Sequence, residues 1–384
     1  MSASGIPDLM KNLFFYGSLR DEALLRIVLG SDASVRMTQA TLADHEVVWA
    51  DGRAFPMIQS RQGAIAEGLL VEGLTNDQIA RLNFYEGGFA YDLVPFQVQT
   101  EHGLHPCEIY WPPEGQFNAG SPWKLEDWQR DFGPMSREAA KEVMSHFGSM
   151  DAQTLAQHFP RIRARADSRV RARASSAPSS VRSEMTEGAL VVEKTTRSHL
   201  GFYALDTMLL RHRKFDGEMS DVLRREVFIS SDASIVLPYD PRTDQVLMVE
   251  QFRMGPTGRN DPLPWCLEPV AGLIDPGETP EETAHREAFE EAGIRFSSLE
   301  TVANGYSSPG ASTGYFFLYV GLCDLNGHNS EAGGIMDEGE DIRSHIFGFD
   351  KAMELVDSGE INVLPTILCL NWLARHREQL RSLA

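Results

Sequence analysis

Residues 272–294 read GLIDPGETPEETAHREAFEEAGI and leave little choice of local structure. Thr279 is a natural N-cap, and Pro280 follows at the first helical position, where its missing N–H costs nothing. Glu282 stands three residues after the cap and completes a capping box. Gly293 is placed to end the helix in the left-handed conformation. Together these signals predict a helix of about four turns over Thr279–Ala292. At roughly 100° per residue, Glu287, Glu290 and Glu291 fall within about 100° of one another. Ala284, Ala288 and Ala292 form a small-residue stripe beside them, and Phe289 lies further round. The helix therefore has one packing face and one acidic face. Arg286 sits four residues before Glu290, within pairing reach. Like charges this close repel, so a merely structural helix gains nothing from them. A site for a hard divalent cation does gain, because magnesium favours carboxylate and carbonyl oxygens.

Gly272, Glu278, Arg286, Glu287, Glu290, Glu291 and Gly293 follow the spacing G-x5-E-x7-R-E-U-x-E-E-x-G-U. Seven fixed residues at about one in fifteen each match by chance on the order of once in 10⁸ start positions. The segment resembles the signature of the Nudix hydrolases, with Ala288 where the pattern has a bulkier apolar residue. The resemblance extends to GFYALD (201–206), RRE (224–226), EQFR (250–253), LEPVAG (267–272), SSPG (307–310) and DEGEDIR (337–343). In order and spacing these are similar to bacterial ADP-ribose pyrophosphatases, and Pro309 marks that branch.

The resemblance implies an α/β/α sandwich around a mixed sheet for residues 187–384. It implies Mg²⁺, with Mn²⁺ able to substitute, held by the Ala271 carbonyl and by Glu287, Glu291 and Glu340, with Glu290 in the same acidic cluster. It makes Glu338 the catalytic base, Arg225 and Arg253 substrate contacts, and Phe202 an adenine-stacking residue. Phe202 and Arg225 lie in the segment that family members use to complete a neighbour's site, which implies a homodimer. The implied reaction is hydrolysis of a nucleoside diphosphate sugar, ADP-ribose foremost, to AMP and ribose 5-phosphate. A pyrophosphate repels an attacking hydroxide, and metal ions neutralise that charge while a loop carboxylate takes the proton. Gly314 stands where some members carry an acidic residue, so another substrate such as a UDP- or GDP-sugar stays open. So does a non-catalytic ligand sensor.

Nearer the N-terminus, LFFYGSLRDEALLRIVLG (13–30) and LNFYEGGFAYDLVPFQV (82–98) resemble the γ-glutamylcyclotransferase, or AIG2-like, family. That resemblance implies an α+β fold with a small β-barrel over residues 1–158. Tyr16, Gly17, Ser18 and Leu19 would bind the α-amino-acid end of a substrate through backbone groups. Glu86 would be the general acid/base, since cyclisation needs one proton removed from an amine and one delivered to a leaving nitrogen. A binding or scaffolding role is the alternative.

A chain of 384 residues is long for one domain, because domains run on the order of 100–200 residues. The break is expected over 159–186, where Arg161, Arg163, Arg165, Arg169, Arg171, Arg173 and Arg182 precede and flank a Ser/Ala/Pro-rich run; the stretch reads as a linker with a frayed helix at its start, and a basic patch for an anionic partner is the alternative. The short strands expected are Leu13–Tyr16, Ile65–Val71, Leu93–Val98 and Cys107–Trp111 before the break. After it come Ile235–Leu237, Val246–Val249 and Phe316–Val320. Further helices are expected over Asn76–Phe84, Arg137–Ser145 and Val363–Arg377.

The formal net charge of −20 argues against nucleic acid as a partner and leaves a nucleotide open where metal supplies positive charge. Cys107, Cys266, Cys323 and Cys369 are widely spaced and read as buried, reduced thiols. The N-terminal stretch has no signal-peptide layout, and no apolar run is long enough to span a membrane, so a cytoplasmic location is expected.

Overall fold

The computed structural model describes residues 10–30, 34–87, 91–175, 180–182, 187–328 and 341–383, with the backbone of 332–333. The chain divides into two compact units, Met1–Pro178 and Ser179–Ala384. No described helix is long and apolar enough to cross a membrane, and all four cysteines are free and buried.

The first unit runs β1 (Lys11–Phe15), α1 (Glu22–Leu29), β2 (Arg36–Ala50), β3 (Pro56–Leu74), α2 (Asn76–Glu86), β4 (Asp92–Thr100), β5 (Gly103–Trp111), β6 (Ala119–Pro122), α3 (Leu125–Asp131), α4 (Gly133–Met144) and α5 (Ala152–Ala174). The strands pair in the order β3-β1-β5-β4-β2, and β2 pairs back onto β3 to close a five-stranded barrel, with β6 added at β2. Closure removes the free edges that an open sheet would expose. Phe14, Ile58, Leu70, Val98 and Ile109 fill the interior and are almost fully buried. Gly68 leaves room for this filling: a Cβ there would meet the Phe14 ring at 2.1 Å.

The helices lock to one another through buried charge. Asp21 caps α1 by accepting from the Leu24 N–H at 2.8 Å, and it also accepts from Arg137 on α4 and Gln129 on α3. Burial raises its pKa, but these hydrogen bonds outweigh that and hold it below the ordinary value. Glu142 on α4 is buried and accepts from Arg165 at 2.6 Å and from Arg169. Glu138 accepts from Arg173 at 2.7 Å.

Here the structure departs from the expected linker over 159–186. Its first half is the C-terminal two-thirds of α5, where Arg165 is buried in the first unit and Arg169 and Arg173 pair with carboxylates of α4. An arginine run looks solvated in sequence because the carboxylates that pair with it stand about 25–35 residues upstream.

The second unit runs β7 (Leu190–Leu200), β8 (Ala204–His212), β9 (Leu223–Ile229), β10 (Ala233–Asp240), β11 (Gln245–Phe252), α6 (Met254–Arg259), β12 (Trp265–Glu268), β13 (Val270–Leu273), α7 (Pro280–Ala292), β14 (Ser298–Tyr306), β15 (Tyr315–Leu322), β16 (Ala332–Gly333), β17 (Ile342–Gly348), α8 (Phe349–Ser358) and α9 (Leu364–Ser382). The main sheet follows β14-β15-β10-β11-β17-β16, with β12 on β11 and β13 on β10. It is mixed, since β10 and β15 run parallel while the other pairs are antiparallel.

Alternation along the central strands feeds two cores. Ile235, Leu237, Val246 and Met248 pack toward α8 and α9. Val236, Leu247 and Val249 pack toward the Ala284, Ala288 and Ala292 stripe of α7. The result is an α/β/α sandwich. A separate antiparallel sheet, β7-β8-β9, precedes it.

Candidate active sites

In the second unit the site is built where α7 meets β13. The cap signals act as expected: Thr279 and Glu282 form the capping box, Pro280 opens the helix, and Gly293 closes it at φ +64°. Ser234 of β10 donates to the Pro280 carbonyl at 2.7 Å and ties the start of the helix to the sheet. The alanine stripe lets α7 lie close, which sets its rotation and turns the glutamates toward β13. Glu287 reaches over Gly272, where a Cβ would come within 1.8 Å of its carboxylate. Glu291 is only 3% exposed, and the Ala271 N–H donates to its Oε2 at 3.4 Å.

Arg286 is the hub of this cluster. It makes a forked pair with Glu278 at 2.9 Å on each arm and donates to Glu287 at 2.7 Å and Glu290 at 3.0 Å. Thr283 also donates to Glu278 at 2.7 Å. Burial raises the Glu278 pKa, but Arg286 and Thr283 outweigh it and hold the carboxyl below its ordinary value. The sequence matched Glu278 and Arg286 to the pattern but gave Glu278 no role. Their long reach across a loop and two helical turns is visible only once the chain is folded.

The residues available to a metal are oxygen donors throughout: the Ala271 carbonyl and the carboxylates of Glu287, Glu290 and Glu291. That donor set fits a hard divalent cation. Among the described residues, no three acidic, histidine or cysteine side chains are gathered tightly enough to hold a metal by themselves. Glu338 and Glu340 lie outside the described residues.

The remaining expected substrate contacts lie on other elements of the second unit. Arg253 precedes α6 and donates to Glu268 at 2.6 Å. Phe202 lies in the β7–β8 connection, 55% exposed, with its ring edge-on to Tyr203. Arg225 is exposed on β9. Pro309 is exposed in a loop that β9 anchors: the Phe228 N–H donates to the Ala311 carbonyl at 2.8 Å, and the Thr313 N–H donates to the Phe228 carbonyl at 2.9 Å. Gly314 is buried there, and a Cβ would crowd the hydroxyls of Ser307 and Ser312.

The first unit holds a cavity of about 100 Å³ lined by Tyr16, Gly17, Ser18, Leu19 and Glu86, as the sequence groups them. Ser18–Arg20 form a 3-10 turn between β1 and α1. Tyr16 donates to the Tyr110 carbonyl at 3.1 Å, and Tyr110 in turn donates to Asn83 at 2.7 Å. Glu86 ends α2 among Tyr85, Tyr91 and Tyr110. It is half-buried by surface because it faces the cavity, yet protein surrounds it, and desolvation pushes its pKa up to about 7. Sequence reasoning missed Phe159, Arg163 and Trp128, which also line the cavity. The aromatic run FYEGGFAY signals an apolar setting for Glu86, but nothing local points to α5.

Comparison with known proteins agrees with both halves. A model described as NUDIX domain matches residues 230–366, and one described as gamma-glutamyl cyclotransferase, AIG2-like, matches residues 13–130. An ADP-ribose pyrophosphatase of Escherichia coli (strain K12) is 38% identical over 52% of this chain and 95% of its own. A GDP-mannose pyrophosphatase of Cronobacter sakazakii is 33% identical over 39% of this chain and 77% of its own. A solved ADP compounds hydrolase aligns at 17% identity over 52% of this chain and all of its own, with a TM-score of 0.40. The acidic helix over β13 and its Arg286 hub agree with the NUDIX match and the 38% identical relative, and the chain belongs to the Nudix hydrolases, while residues 13–130 before it match the AIG2-like gamma-glutamyl cyclotransferase model.

Proposed function

We propose that the second unit hydrolyses the pyrophosphate bond of ADP-ribose, or of a related nucleoside diphosphate sugar, to AMP and ribose 5-phosphate with Mg²⁺. The observation that carries this reading is the placement of Glu287 over Gly272 and of Glu291 against the Ala271 N–H. It brings two carboxylates of one helix face to the edge of one strand. Glu287, Glu291, the Ala271 carbonyl and Glu340 would hold the ion, with Glu290 beside them. When bound, Mg²⁺ supplies charge neutralisation to the phosphates. Glu338 accepts the proton of the attacking water, Arg225 and Arg253 contact the substrate, and Phe202 stacks on the adenine. Phe202 and Arg225 stand exposed, which supports a homodimer in which each copy completes its neighbour's site.

The names of the relatives support an ADP-ribose substrate first and a GDP-sugar second. The deciding experiment incubates the full chain with Mg²⁺ and ADP-ribose, GDP-mannose or a UDP-sugar, and separates the products by anion-exchange chromatography. AMP and ribose 5-phosphate from ADP-ribose are expected. No cleavage of any of the three substrates overturns the reading.

The first unit supports a second activity, cyclisation of a γ-glutamyl compound, carried by a glutamate with a pKa of about 7 in an aromatic cavity. The substrate's α-amine attacks its γ-carbonyl carbon, the ring C–N bond forms and the γ-amide C–N bond breaks. Ionised Glu86 takes the proton from the amine and returns it to the leaving nitrogen, so it ends as it began. Release of 5-oxoproline from a γ-glutamyl dipeptide tests it.

A further inference from the structure

One wall of the Glu86 cavity is supplied by α5, which begins 22 residues beyond the end of the matched AIG2-like region at residue 130. Phe159 and Arg163 are four residues apart on that helix, share a face and both line the cavity. The rotation of α5 is set from another side. Arg165 and Arg169 pair with Glu142, and they lie roughly 120–160° round the helix from Arg163. Ile162 and Ala166 are fully buried between these stripes. The start of α5 is seated beside Glu86 itself, since a Cβ on Gly87 would approach the Cβ of Ala152 to 2.8 Å. The helix is thus clamped at both ends, and a guanidinium is delivered to a cavity whose other walls are mainly aromatic.

We propose that Arg163 is a specificity-determining residue of this cavity, and that it binds a carboxylate on the leaving-amine portion of a γ-glutamyl ligand. This rests on reading the cavity as a γ-glutamyl site. Tyr16–Leu19 offer backbone groups to the α-amino-acid end, so a side chain added from outside the matched region meets the remainder of the ligand. Arginine suits the task, because its planar fork binds a carboxylate with two parallel hydrogen bonds and keeps its charge at every physiological pH. The selected substrates are γ-glutamyl amino acids or peptides with a free carboxylate, in preference to γ-glutamyl amines.

The test uses the full chain and two probes that differ only in charge, γ-glutamyl-alanine and γ-glutamyl-alaninamide. Binding is measured by calorimetry and turnover by 5-oxoproline release. The wild type is expected to favour the acid over the amide by roughly tenfold to a hundredfold, the range for a charge-assisted pair. Arg163→Gln should bring that ratio close to one by weakening the acid alone. Arg163→Lys should restore part of it, and Arg171→Gln, whose partner is Asp167 on the same helix, should leave it at the wild-type value. Thermal unfolding of each variant reports whether α5 stays seated. An Arg163→Gln variant that loses both probes equally, or keeps the wild-type ratio, overturns the assignment and leaves the Glu86 reading standing. A wild type that neither binds nor converts either probe overturns both.

Discussion

Gly272 and Glu287 occupy each other's space: the glutamate carboxylate passes where a Cβ on residue 272 would be, at 1.8 Å. The contact sets how near the acidic face of α7 comes to β13. Gly272→Ala must push Glu287 away. A catalytic group displaced by about an ångström loses on the order of 10²-fold in rate. That loss in kcat/KM is expected with the secondary structure intact by circular dichroism. Wild-type kinetics in Gly272→Ala would remove Glu287 from the machinery.

Glu291 is buried beside the Ala271 N–H. Glu291→Gln keeps the shape and removes the charge. Most turnover should disappear while the melting temperature changes little, and chelation of divalent ions with EDTA should silence the wild type. Enzyme stripped of divalent ions that still cleaves ADP-ribose at full rate would rule out a metal mechanism.

Glu338 and Glu340 are two apart, with Gly339 between them to let the backbone bend. Glu338→Gln should lower kcat by roughly 10²–10⁴-fold, as loss of a general base does. Its KM should barely move, because ground-state contacts survive. Glu340→Gln should instead raise the Mg²⁺ concentration for half-maximal rate. Kinetics over a range of Mg²⁺ separate the two. If both variants match the wild type, the base lies elsewhere, and Glu290 is next.

Glu86 is held neutral to about pH 7 by burial, against an ordinary value of 4.5. A raised folded pKa means that the folded chain keeps this proton longer than the unfolded chain does. Its contribution to stability is full below about pH 4.5 and is lost as pH rises through about 7. Glu86→Gln should therefore flatten the fall in stability of the first unit across that window, as read by thermal unfolding at stepped pH. Any activity using the ionised carboxylate should rise through about pH 7. Parallel stability profiles for wild type and variant would contradict the shift.

Phe202, Tyr203 and Phe228 present apolar surface on and beside the β7-β8-β9 sheet, each about half exposed. Light scattering is expected to give twice the 42.8 kDa of one chain. Arg225→Ala should lower activity without unfolding α7. A fully active monomer at assay concentration would exclude a shared site.

Much of α7 was legible because every determinant of it is local. Thr279, Pro280, Glu282 and Gly293 act within one or two turns of themselves, so the helix, its caps and its acidic phase follow from spacing alone. The central strands were legible for the same reason, though their ends ran longer than their apolar centres: Ile235–Leu237 lies inside Ala233–Asp240.

What sequence could not supply was pairing over distance. The long β2–β3 hairpin joins Arg36–Ala50 to Pro56–Leu74, and its closure into a barrel depends on contacts that no local pattern encodes. The arginine run of α5 reads as solvent-facing because a charge has no visible partner in a linear string. Only the fold places Glu142 beneath Arg165 and turns Arg163 into the Glu86 cavity. The residue types of both sites belong to the sequence, whereas the close approach of Gly272 to Glu287 and the desolvation of Glu86 arise when separate elements pack and exclude water.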